Sequence, residues 1–339
     1  MISVSEAQEI LSKFSNKGPI ERVSFENCLN RLLAENIYAD RDAPPFDRVA
    51  MDGIAIQSDQ LQIRQQFVIE DIQAAGQQQK SLNKPENCLE VMTGAVLPVH
   101  TDCVIPYEKL TIKNGVARLN STDHKAFQNT HKKGIDAKKG DQLLASGTWI
   151  HPGVKGVLAT TGHTEIKAIQ VPKIMICSTG DELVPITHNP LPHQIRRSNV
   201  YMLQAALKDL NIEAHTTHLP DDKDQLNASI GKLLEEYDLL MFSGAVSKGK
   251  YDFLPTVFKE LGIQIHIHGV KQKPGKPFLF GTIGSKSVFG FPGNPSSTLV
   301  CFHLYFKWWY NHYLGIAPNN NYAYLNNEVT FKKPLTNHL

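Results

Sequence analysis

Five acidic residues fall near the predicted ends of strands in the second half of the chain: Asp181, Glu182, Asp221, Asp222 and Asp252. Glycine-rich and lysine-rich loops fall near the same strand ends. Hard cations such as Mg²⁺ bind one or two carboxylates together with substrate oxygens and water. Acids beside basic and glycine-rich loops therefore predict a Mg²⁺-assisted reaction on a ligand that contains phosphate.

The stretch Asp238–Asp252 combines the parts of such a site. Leu239–Phe242 is continuously apolar, which is typical of a strand buried on both faces. Small residues that permit a tight turn and close approach of a ligand follow it: Ser243, Gly244 and Ser247. Since a helix is predicted at Phe253–Leu261, its N-terminal N–H groups favour an anion. Asp252 either caps this helix or binds a metal ion.

Two further loops have the composition of an anion site. Lys273 and Lys276 each precede a proline, and such a loop is either solvated surface or a phosphate-binding loop. A second loop leads from a short strand into a predicted helix, where free N–H groups favour an anion. The residues expected to shape this second loop are Pro292, Asn294 and Pro295. The two loops together favour phosphate binding.

Several common site types are excluded by the sequence. The patterns Gly-x-x-x-x-Gly-Lys-Ser/Thr and Gly-x-Gly-x-x-Gly are absent, so the chain is not a P-loop NTPase and lacks the dinucleotide fingerprint. Neither a Gly-x-Ser-x-Gly elbow nor a His-Glu-x-x-His motif occurs. An anionic ligand with a divalent cation remains the chemistry that the residues favour.

Alternating strands and helices are predicted to position these loops. The strands are Lys173–Cys177, Glu213–His218 and Leu239–Phe242, and the helices are Asn199–Leu210 and Asp224–Glu236. Such alternation predicts a parallel, doubly wound sheet with right-handed crossovers. Ligands gather at the carboxyl ends of strands in such sheets, where Thr179 and Asp181 also fall.

Residues 43–139 have a different sequence pattern, in which short β-like runs alternate with polar turns. This pattern predicts a mainly β insert. Two of its loops, Pro44–Gly53 and Val91–Pro98, join proline or glycine to a carboxylate or hydroxyl group. They are either ordinary turns or rigid loops that display Asp52 and Thr93.

The N-terminal segment predicts two helices. Ser5 and Gln8 resemble a capping box for the first, with Ala7 and Leu11 on its apolar face. The second is a short helix at Asn27–Leu33.

Composition indicates a globular chain without a global charge signal. Its 339 residues include 35 basic and 33 acidic side chains, so nothing argues for a nucleic acid or membrane partner. The five cysteines never form a Cys-x-x-Cys pair, which predicts reduced core thiols. The start lacks a signal peptide pattern and no apolar run reaches the ~20 residues of a membrane span, so we expect a cytoplasmic protein.

Six motifs occur in an order that resembles the molybdopterin molybdenumtransferase (MoeA) family, which includes the E domain of gephyrin. They are Pro44–Asp47 with Ala50–Gly53, Met92–Ala95, Thr179–Leu183, Ser243–Ser247 with Asp252, Lys273–Pro277 and Pro292–Pro295. The resemblance covers nearly the whole chain, and the ordered set is far more specific than any one motif.

The resemblance implies a multidomain α/β plus β fold. Its parts would be residues 1–42 with 140–171 as an extended linking domain, 43–139 as the mainly β insert, 172–318 as a MogA-like doubly wound domain that binds molybdopterin, and 319–339 as the start of a C-terminal β-domain that is largely missing. It also implies an elongated homodimer in which the insert of one subunit faces the α/β site of the other. Molybdopterin adenylyltransferase and molybdoenzyme maturation factors are further partners that it suggests.

The implied reaction inserts molybdate into adenylylated molybdopterin, releases AMP and uses Mg²⁺. Carried over by motif, the catalytic residues would be Asp52, Thr93, Asp136, Glu182, Asp221 and Asp252, of which Glu182, Asp221 and Asp252 would hold the metal. The residues implied in substrate binding are Thr179, Asp181, Ser243, Gly244, Ser247, Lys273, Lys276, Pro292, Asn294 and Pro295.

The chain departs from the family pattern at some positions. Arg48 stands where the family usually has Asn, and His131 where it often has Arg; Lys248 or Lys271 would compensate for the lost charge. Two other functions stay open at this point. One is a non-catalytic, gephyrin-like dimeric scaffold that binds peptides. The other is molybdopterin adenylylation, against which the Asp52 and Thr93 loops argue because the related single-domain family lacks the insert.

Overall fold

The computed structural model describes residues 1–244 and 253–316, which form two compact units. Unit 1 comprises Met1–Val23, Asn30–Ala34 and the chain from Lys167 onward, and unit 2 comprises Ser24–Leu29 and Glu35–Ile166. The four-part domain scheme stays a prediction, and its last part, residues 319–339, lies outside the described residues.

Seven α-helices occur in the described residues. They are α1 (Val4–Phe14), α2 (Pro152–Thr160), α3 (Asn199–Lys208), α4 (Lys223–Glu236), α5 (Leu254–Glu260), α6 (Pro295–Cys301) and α7 (Lys307–Tyr313). A π-helical segment, Phe302–Phe306, joins the last two into one continuous run.

The strands are mostly short. They are β1 (Ile20–Ser24), β2 (Ile37–Tyr38), β3 (Arg48–Val49), β4 (Gly53–Ile56), β5 (Gln66–Gln73), β6 (Cys88–Val91), β7 (Cys103–Pro106), β8 (Leu110–Lys113), β9 (Val116–Leu119), β10 (Thr130–His131), β11 (Gln142–Leu144), β12 (Glu165–Ile169), β13 (Ile174–Thr179), β14 (Leu183–Val184), β15 (Ile195–Arg196), β16 (Ala214–Leu219), β17 (Leu239–Ser243), β18 (Gln264–His268), β19 (Leu279–Ile283) and β20 (Lys286–Phe291).

A six-stranded sheet forms the centre of unit 1, with strand order β16–β13–β17–β20–β19–β18. The first four strands are parallel neighbours, whereas β19 runs antiparallel to both β18 and β20. The α/β class is confirmed, and the three strands predicted to be parallel are parallel, whereas the far side of the sheet is antiparallel. The physical reason is the connection between β19 and β20, because its residues Gly284 and Ser285 are too few for the crossover that a parallel pair needs.

Both faces of this sheet are covered, as a doubly wound fold requires. Ile174 and Ile176 pack with α1, α3 and the α6–α7 run on one face. Met175 and Cys177 pack with α4 and α5 on the other. All five residues of β17 are buried for this reason, which explains its unbroken apolar sequence.

Two local predictions near the N-terminus are wrong. The capping box of α1 is formed by Ser3 and Glu6: the Ser3 N–H donates to Glu6 Oε2 at 2.6 Å, and the Glu6 N–H donates to Ser3 Oγ at 3.2 Å. Asn27–Leu33 forms turns and an isolated bridge in place of a helix. Asn30 has φ of 60°, a left-handed conformation that interrupts a right-handed helix.

A second six-stranded sheet, of order β7–β4–β6–β5–β9–β8, dominates unit 2. Its neighbours pair antiparallel except β5 with β6. One apolar cluster contains Ile54 and Phe67, and another contains Ala55 and Leu89. Since Ile54 and Ala55 are consecutive, the two clusters lie on opposite faces of the sheet. The predicted mainly β character of this region is confirmed.

No helix within residues 1–244 and 253–316 is long and apolar enough to cross a membrane. All five cysteines are buried free thiols, as predicted. Burial raises the pKa of Cys88, Cys103 and Cys301 to about 12, so these thiols stay protonated and unreactive at neutral pH.

The lysine loop that follows β18 is fixed by a buried amide. Gln272 is 6% exposed; its Nε2 donates to Pro274 O at 2.9 Å, and its Oε1 accepts a hydrogen bond from the Tyr305 hydroxyl. Cys301 Sγ donates to Gly275 O at 3.4 Å. The backbone that carries Lys273 and Lys276 is therefore anchored to the helical run beneath it.

We expect Tyr305→Phe to lower the free energy of unfolding by about 1–3 kcal/mol, because the buried oxygen of Gln272 loses this donor. Tyr310→Phe is the matched control, since Tyr310 is 4% exposed and its hydroxyl makes no hydrogen bond in the described part of the chain. Guanidinium denaturation followed by circular dichroism measures both. Equal losses in the two variants would show that the Gln272 bond contributes nothing.

Candidate active site

Four parallel strands of unit 1 end side by side, and a polar loop follows each end. Thr179 pairs with Leu219, and Ser243 pairs with both Ser178 and Phe291, so the last residues of these strands stand in one row. The predicted residues in or directly after this row are Thr179, Asp181, Glu182, Asp221, Ser243, Gly244, Pro292, Asn294 and Pro295. Ser247 and Asp252 lie outside the described residues. The predicted site residues that the structure describes in these loops therefore lie at one edge of the sheet.

A cleft of about 130 Å³ opens at this edge. Five of the predicted residues line it: Thr179, Glu182, Ser243, Gly244 and Pro295. The segment from Ile195 to Val200, which precedes and begins α3, completes its described wall. The cleft therefore joins three strand-end loops to a segment that the motif analysis did not include.

Arg196, Arg197 and Asn199 are lining residues that sequence reasoning missed. Two adjacent arginines directly before a helix start were a signal, because cations and free N–H groups at such a place favour an anionic or polar ligand. The guanidinium of Arg196 is partly used within the protein, since its Nε donates to His188 O at 3.0 Å. Arg197 is the better candidate for a ligand contact.

Three polar atoms of the cleft residues are buried and have no hydrogen-bond partner among the described residues: Thr179 Oγ1, Arg197 Nε and Asn199 Oδ1. The Asn199 amide is oriented by its Nδ2, which donates to Gly293 O at 2.8 Å. Buried polar groups in folded proteins are nearly always paired, but unpaired buried groups also occur away from the cleft, at Arg64 Nε and at both ring nitrogens of His124. The three atoms therefore do not by themselves mark a ligand site.

The acidic loops after β13 and β16 are linked. Asp181 Oδ1 accepts a hydrogen bond from the Asp221 N–H at 3.3 Å. Glu182 lies over Gly180, where φ is 126° and a Cβ atom would stand 2.4 Å from Glu182 Oε2. Glycine is therefore required there for Glu182 to face the cleft.

These carboxylates suit Mg²⁺ in their chemistry, because Mg²⁺ needs only one or two carboxylates beside substrate oxygens and water. The described residues contain no group of three or more metal-binding side chains in one place. Since Asp252 lies outside them, the predicted set of Glu182, Asp221 and Asp252 stays a prediction.

The positive charge at this edge comes from arginine and lysine rather than histidine. Burial, and then the nearby Arg197, lower the pKa of His218, against the opposing effect of Asp181 and Asp221. Its Nδ1 lies 3.0 Å from Ser178 Oγ. The imidazole is therefore neutral at pH 7.

The lysine loop lies at the same edge of the sheet. β19 is antiparallel to both β18 and β20, so the loop between β18 and β19 stands beside the loop that follows β20. Lys273 and Lys276 are exposed and form no ion pair within the described residues. Neither belongs to the described wall of the cleft. They are free to attract an anion nearby.

The predicted anion cradle at α6 is not formed. Asn294 Oδ1 accepts hydrogen bonds from the N–H groups of Ser296 and Ser297, at 3.0 and 3.4 Å. The side chain of the preceding loop thus already satisfies these two groups. A role of Asn294 toward substrate stays a prediction.

In unit 2, the two predicted loops bring Asp52 and Thr93 together. The Thr93 N–H and hydroxyl both donate to Asp52 Oδ1, at 2.6 and 2.8 Å. These bonds, the N–H first, lower the pKa of Asp52. Gly53 is needed beside it, because a Cβ there would lie 2.0 Å from Ile105 O. These contacts orient the Asp52 carboxylate on its exposed loop, and the roles of Asp52 and Thr93 toward substrate stay a prediction.

The same part of unit 2 carries Asp136 and a cation. The Asp136 N–H donates to Ala43 O at 3.0 Å, which ties its loop to the start of the proline loop. Arg48 Nη2 donates to His131 Nδ1 at 3.1 Å across the β3–β10 pair. Arg48 therefore supplies a fixed positive charge beside His131, and compensation by Lys248 or Lys271 stays a prediction. Lys248 lies outside the described residues.

We expect Thr93→Val to raise the pKa of Asp52, because the variant keeps the N–H donor and loses the hydroxyl donor. The Asp52 pKa is depressed in the folded state, so its contribution to stability is present above the unfolded pKa and is lost as pH falls through the folded value. A ¹³C NMR titration of the carboxyl groups measures the shift. Thr101→Val is the control, since its hydroxyl donates to Pro98 O. An unchanged Asp52 titration in Thr93→Val contradicts the proposed cause.

Comparison with known proteins agrees with this architecture. The family model of the MoeA N-terminal region (domain I and II) matches residues 2–162, and the model of a probable molybdopterin binding domain matches residues 175–310. A solved structure of a molybdopterin biosynthesis MoeA protein from Pyrococcus horikosii is 31% identical, with a TM-score of 0.79. The match covers 93% of this chain and 80% of that chain.

Two curated relatives carry the name molybdopterin molybdenumtransferase. The protein from Synechocystis is 43% identical over 99% of this chain and 85% of its own length. The protein from Bacillus subtilis is 33% identical over 90% of this chain and 73% of its own length. The chain belongs to the molybdopterin molybdenumtransferase family.

Proposed function

We propose that this chain is a transferase of molybdenum cofactor biosynthesis that inserts molybdate into adenylylated molybdopterin and releases AMP. The observation that carries the proposal is the cleft at the carboxyl edge of the unit 1 sheet. Strand-end loops, the Glu182 carboxylate and the arginines before α3 line it, and the exposed Lys273 and Lys276 lie outside its described wall at the same edge of the sheet, in a chain of this family. The relatives' names favour neither a peptide-binding scaffold nor an adenylyltransferase.

In unit 1 the basic residues would attract the anionic substrate, and the acidic residues would bind the metal cation. Lys273 and Lys276 are placed to attract the molybdate dianion toward the sheet edge, where they offset negative charge that develops as AMP departs. Glu182 and Asp221 would hold Mg²⁺, together with Asp252. When bound, Mg²⁺ supplies positive charge against the phosphate oxygens. In the balanced step a water molecule attacks the phosphorus of the pterin phosphate, the new P–O bond replaces the phosphoanhydride bond, and AMP leaves with the electron pair of the broken bond. The two pterin thiols replace one oxygen of molybdate, which leaves as water with their two protons.

We further propose that the chain acts as a cytoplasmic homodimer. Buried, protonated thiols suit a reducing compartment. The rigid Asp52–Thr93 pair is a polar group displayed on an exposed loop, and its placement suits the implied role of facing a site of the partner subunit. Sedimentation equilibrium would report a monomer if the homodimer is wrong.

The test of the proposed reaction is AMP release from adenylylated molybdopterin by the purified chain. We expect release only when molybdate and Mg²⁺ are both present, and none when sulfate, which has the same charge and shape, replaces molybdate. Background release with molybdate and Mg²⁺ would contradict the proposal. Consumption of ATP with free molybdopterin would indicate the adenylyltransferase.

Glu182→Gln should reduce the rate of AMP release by about 10²-fold, the usual loss when one charged group of a preorganised site is removed. The melting temperature should not change, because the Glu182 carboxylate makes no hydrogen bond or ion pair within the described residues. Glu213→Gln is the matched control: Glu213 is also exposed, but it precedes β16 and stands at the opposite edge of the sheet. A rate loss no larger than that of Glu213→Gln, or a matching loss of stability, would remove Glu182 from the site.

A further inference from the structure

We infer that Gln272 and Tyr305 are positioning residues of the reaction, because together they fix the loop that carries two lysines at the edge of the unit 1 sheet. The inference rests on the proposed function, in which Lys273 and Lys276 attract molybdate. Neither Gln272 nor Tyr305 belongs to a motif of the sequence analysis, since the Lys273–Pro277 motif begins one residue after Gln272. Both residues would act through the lysines, without a contact to the substrate.

Gln272 joins the loop to the helical run through a side chain of fixed orientation. Its Nε2 donates to Pro274 O at 2.9 Å, and the amide cannot be flipped because a carbonyl oxygen can only accept. Its Oε1 therefore faces Tyr305, whose hydroxyl donates to it. The same Nε2 lies 3.5 Å from Cys301 Sγ. Both polar atoms of this buried amide are thus paired, and one side chain connects the position before Lys273 to the position after it.

The centre of the loop packs against the same buried group. Gly275 has φ of 97°, and a Cβ atom there would stand 2.7 Å from Cys301 Sγ. Cys301 Sγ donates to Gly275 O at 3.4 Å. Only glycine therefore lets the backbone between the two lysines lie this close to the helical run. Lys273 and Lys276, which flank this contact, are exposed.

Tyr305 contacts the loop at both of its ends. Its hydroxyl bonds Gln272 before the first lysine, and its ring stacks on Phe278 after the second, with ring centroids 4.2 Å apart. Tyr305 is 0% exposed and belongs to the π-helical segment, in which the Lys307 N–H donates to Phe302 O. Such wide turns are frequent at functional sites. The π-helical turn here carries the residue that holds the lysine loop.

Backbone hydrogen bonds close the base of the loop. The Val270 N–H donates to Lys276 O at 2.9 Å, and the Lys271 N–H donates to Ile2 O at 2.7 Å. With the base closed and the centre tied to Gln272, the backbone positions of both lysines are fixed. Attraction of an anion depends on this, because preorganised charges act on it without first having to rearrange.

Stability alone is a poor reason for a buried amide at this place. Burying a polar group costs free energy that its hydrogen bonds mainly offset. Apolar packing of similar volume would hold a loop without that cost. A fully paired polar group instead selects one geometry, since a shift of the loop would leave a buried atom unpaired. The pairing of Gln272 therefore suits the placement of charges.

The test measures kcat/KM for molybdate in AMP release by the full chain, with adenylylated molybdopterin and Mg²⁺ saturating. Tyr305→Phe keeps the ring that stacks on Phe278 and loses the hydroxyl. We expect its kcat/KM for molybdate to fall about threefold to tenfold, because the loop no longer holds the lysines in one place. Tyr237→Phe is the matched control. Tyr237 is 5% exposed, and its hydroxyl lies 3.0 Å from Nδ1 of His215, which belongs to β16 at the opposite side of the sheet from β18. The control should melt lower without a change in kcat/KM.

A background without the lysines separates positioning from a structural role. In a chain that carries Lys273→Met and Lys276→Met, we expect Tyr305→Phe to have no further effect on kcat/KM, since a residue that acts through the lysines then has no charge left to place. Gln272→Met keeps a side chain of similar size and loses both hydrogen bonds, so it should depend on the lysines in the same way. The full threefold to tenfold loss in the background without the lysines would overturn the inference.

The outcomes separate this inference from the proposed function. If the wild-type chain releases AMP and Tyr305→Phe and Gln272→Met match Tyr237→Phe in kcat/KM, the inference is wrong and the proposed reaction stands. If the wild-type chain releases no AMP with molybdate and Mg²⁺, the proposed reaction is wrong and the inference falls with it.

Discussion

Burial of both faces of the unit 1 sheet is the constraint on which its chemistry depends. With apolar cores on either side of β13 and β17, these strands have no solvated face on which to carry polar side chains. Polar groups can begin only where the strands end. Since parallel neighbours end at the same edge, Thr179, Ser243 and the turn after β20 are brought together by topology rather than by direct contacts.

In unit 2 a candidate functional side chain is positioned in a different way. Its Asp52 must stay on an exposed loop, so its position is fixed by hydrogen bonds and not by burial. Both donors come from Thr93, and Gly53 lets β4 lie close enough to β7 for the turn to form. A carboxylate held this way keeps its charge to lower pH than a free one.

Element types followed from the sequence wherever the apolar pattern was strong. The strands β13 and β17 and the helix α4 were predicted because both faces or one full stripe are apolar. Features that depend on tertiary contacts were not predicted. The sequence analysis placed the cap of α1 at Ser5, and the helix geometry places it two residues earlier, at Ser3. The reversal of β19 depends on a two-residue connection whose meaning appears once both strands are known.

The candidate site was predicted from sequence motifs, and Arg197 and Asn199 were missed because they belong to none of these motifs. Motif reasoning finds acids, lysines and glycines because their types are informative by themselves. A buried amide becomes informative only when its partners are counted, and that count needs the Gly293 carbonyl, which is 94 residues away in the chain.

Buried hydroxyl groups of unit 1 differ in whether they have a hydrogen-bond partner. Thr298 and Thr179 are both buried threonines of unit 1, yet the first bonds two carbonyl oxygens and the second has no partner among the described residues. Ser178, one residue earlier on the same strand, contacts Thr217 O and His218. The chain therefore satisfies buried hydroxyl groups where it needs only stability. Leaving Thr179, Arg197 and Asn199 unpaired costs folding free energy, of order 1–3 kcal/mol for each group. The same cost falls on unpaired buried groups outside the cleft, such as Arg64 Nε and the ring nitrogens of His124, so pairing alone does not identify a ligand.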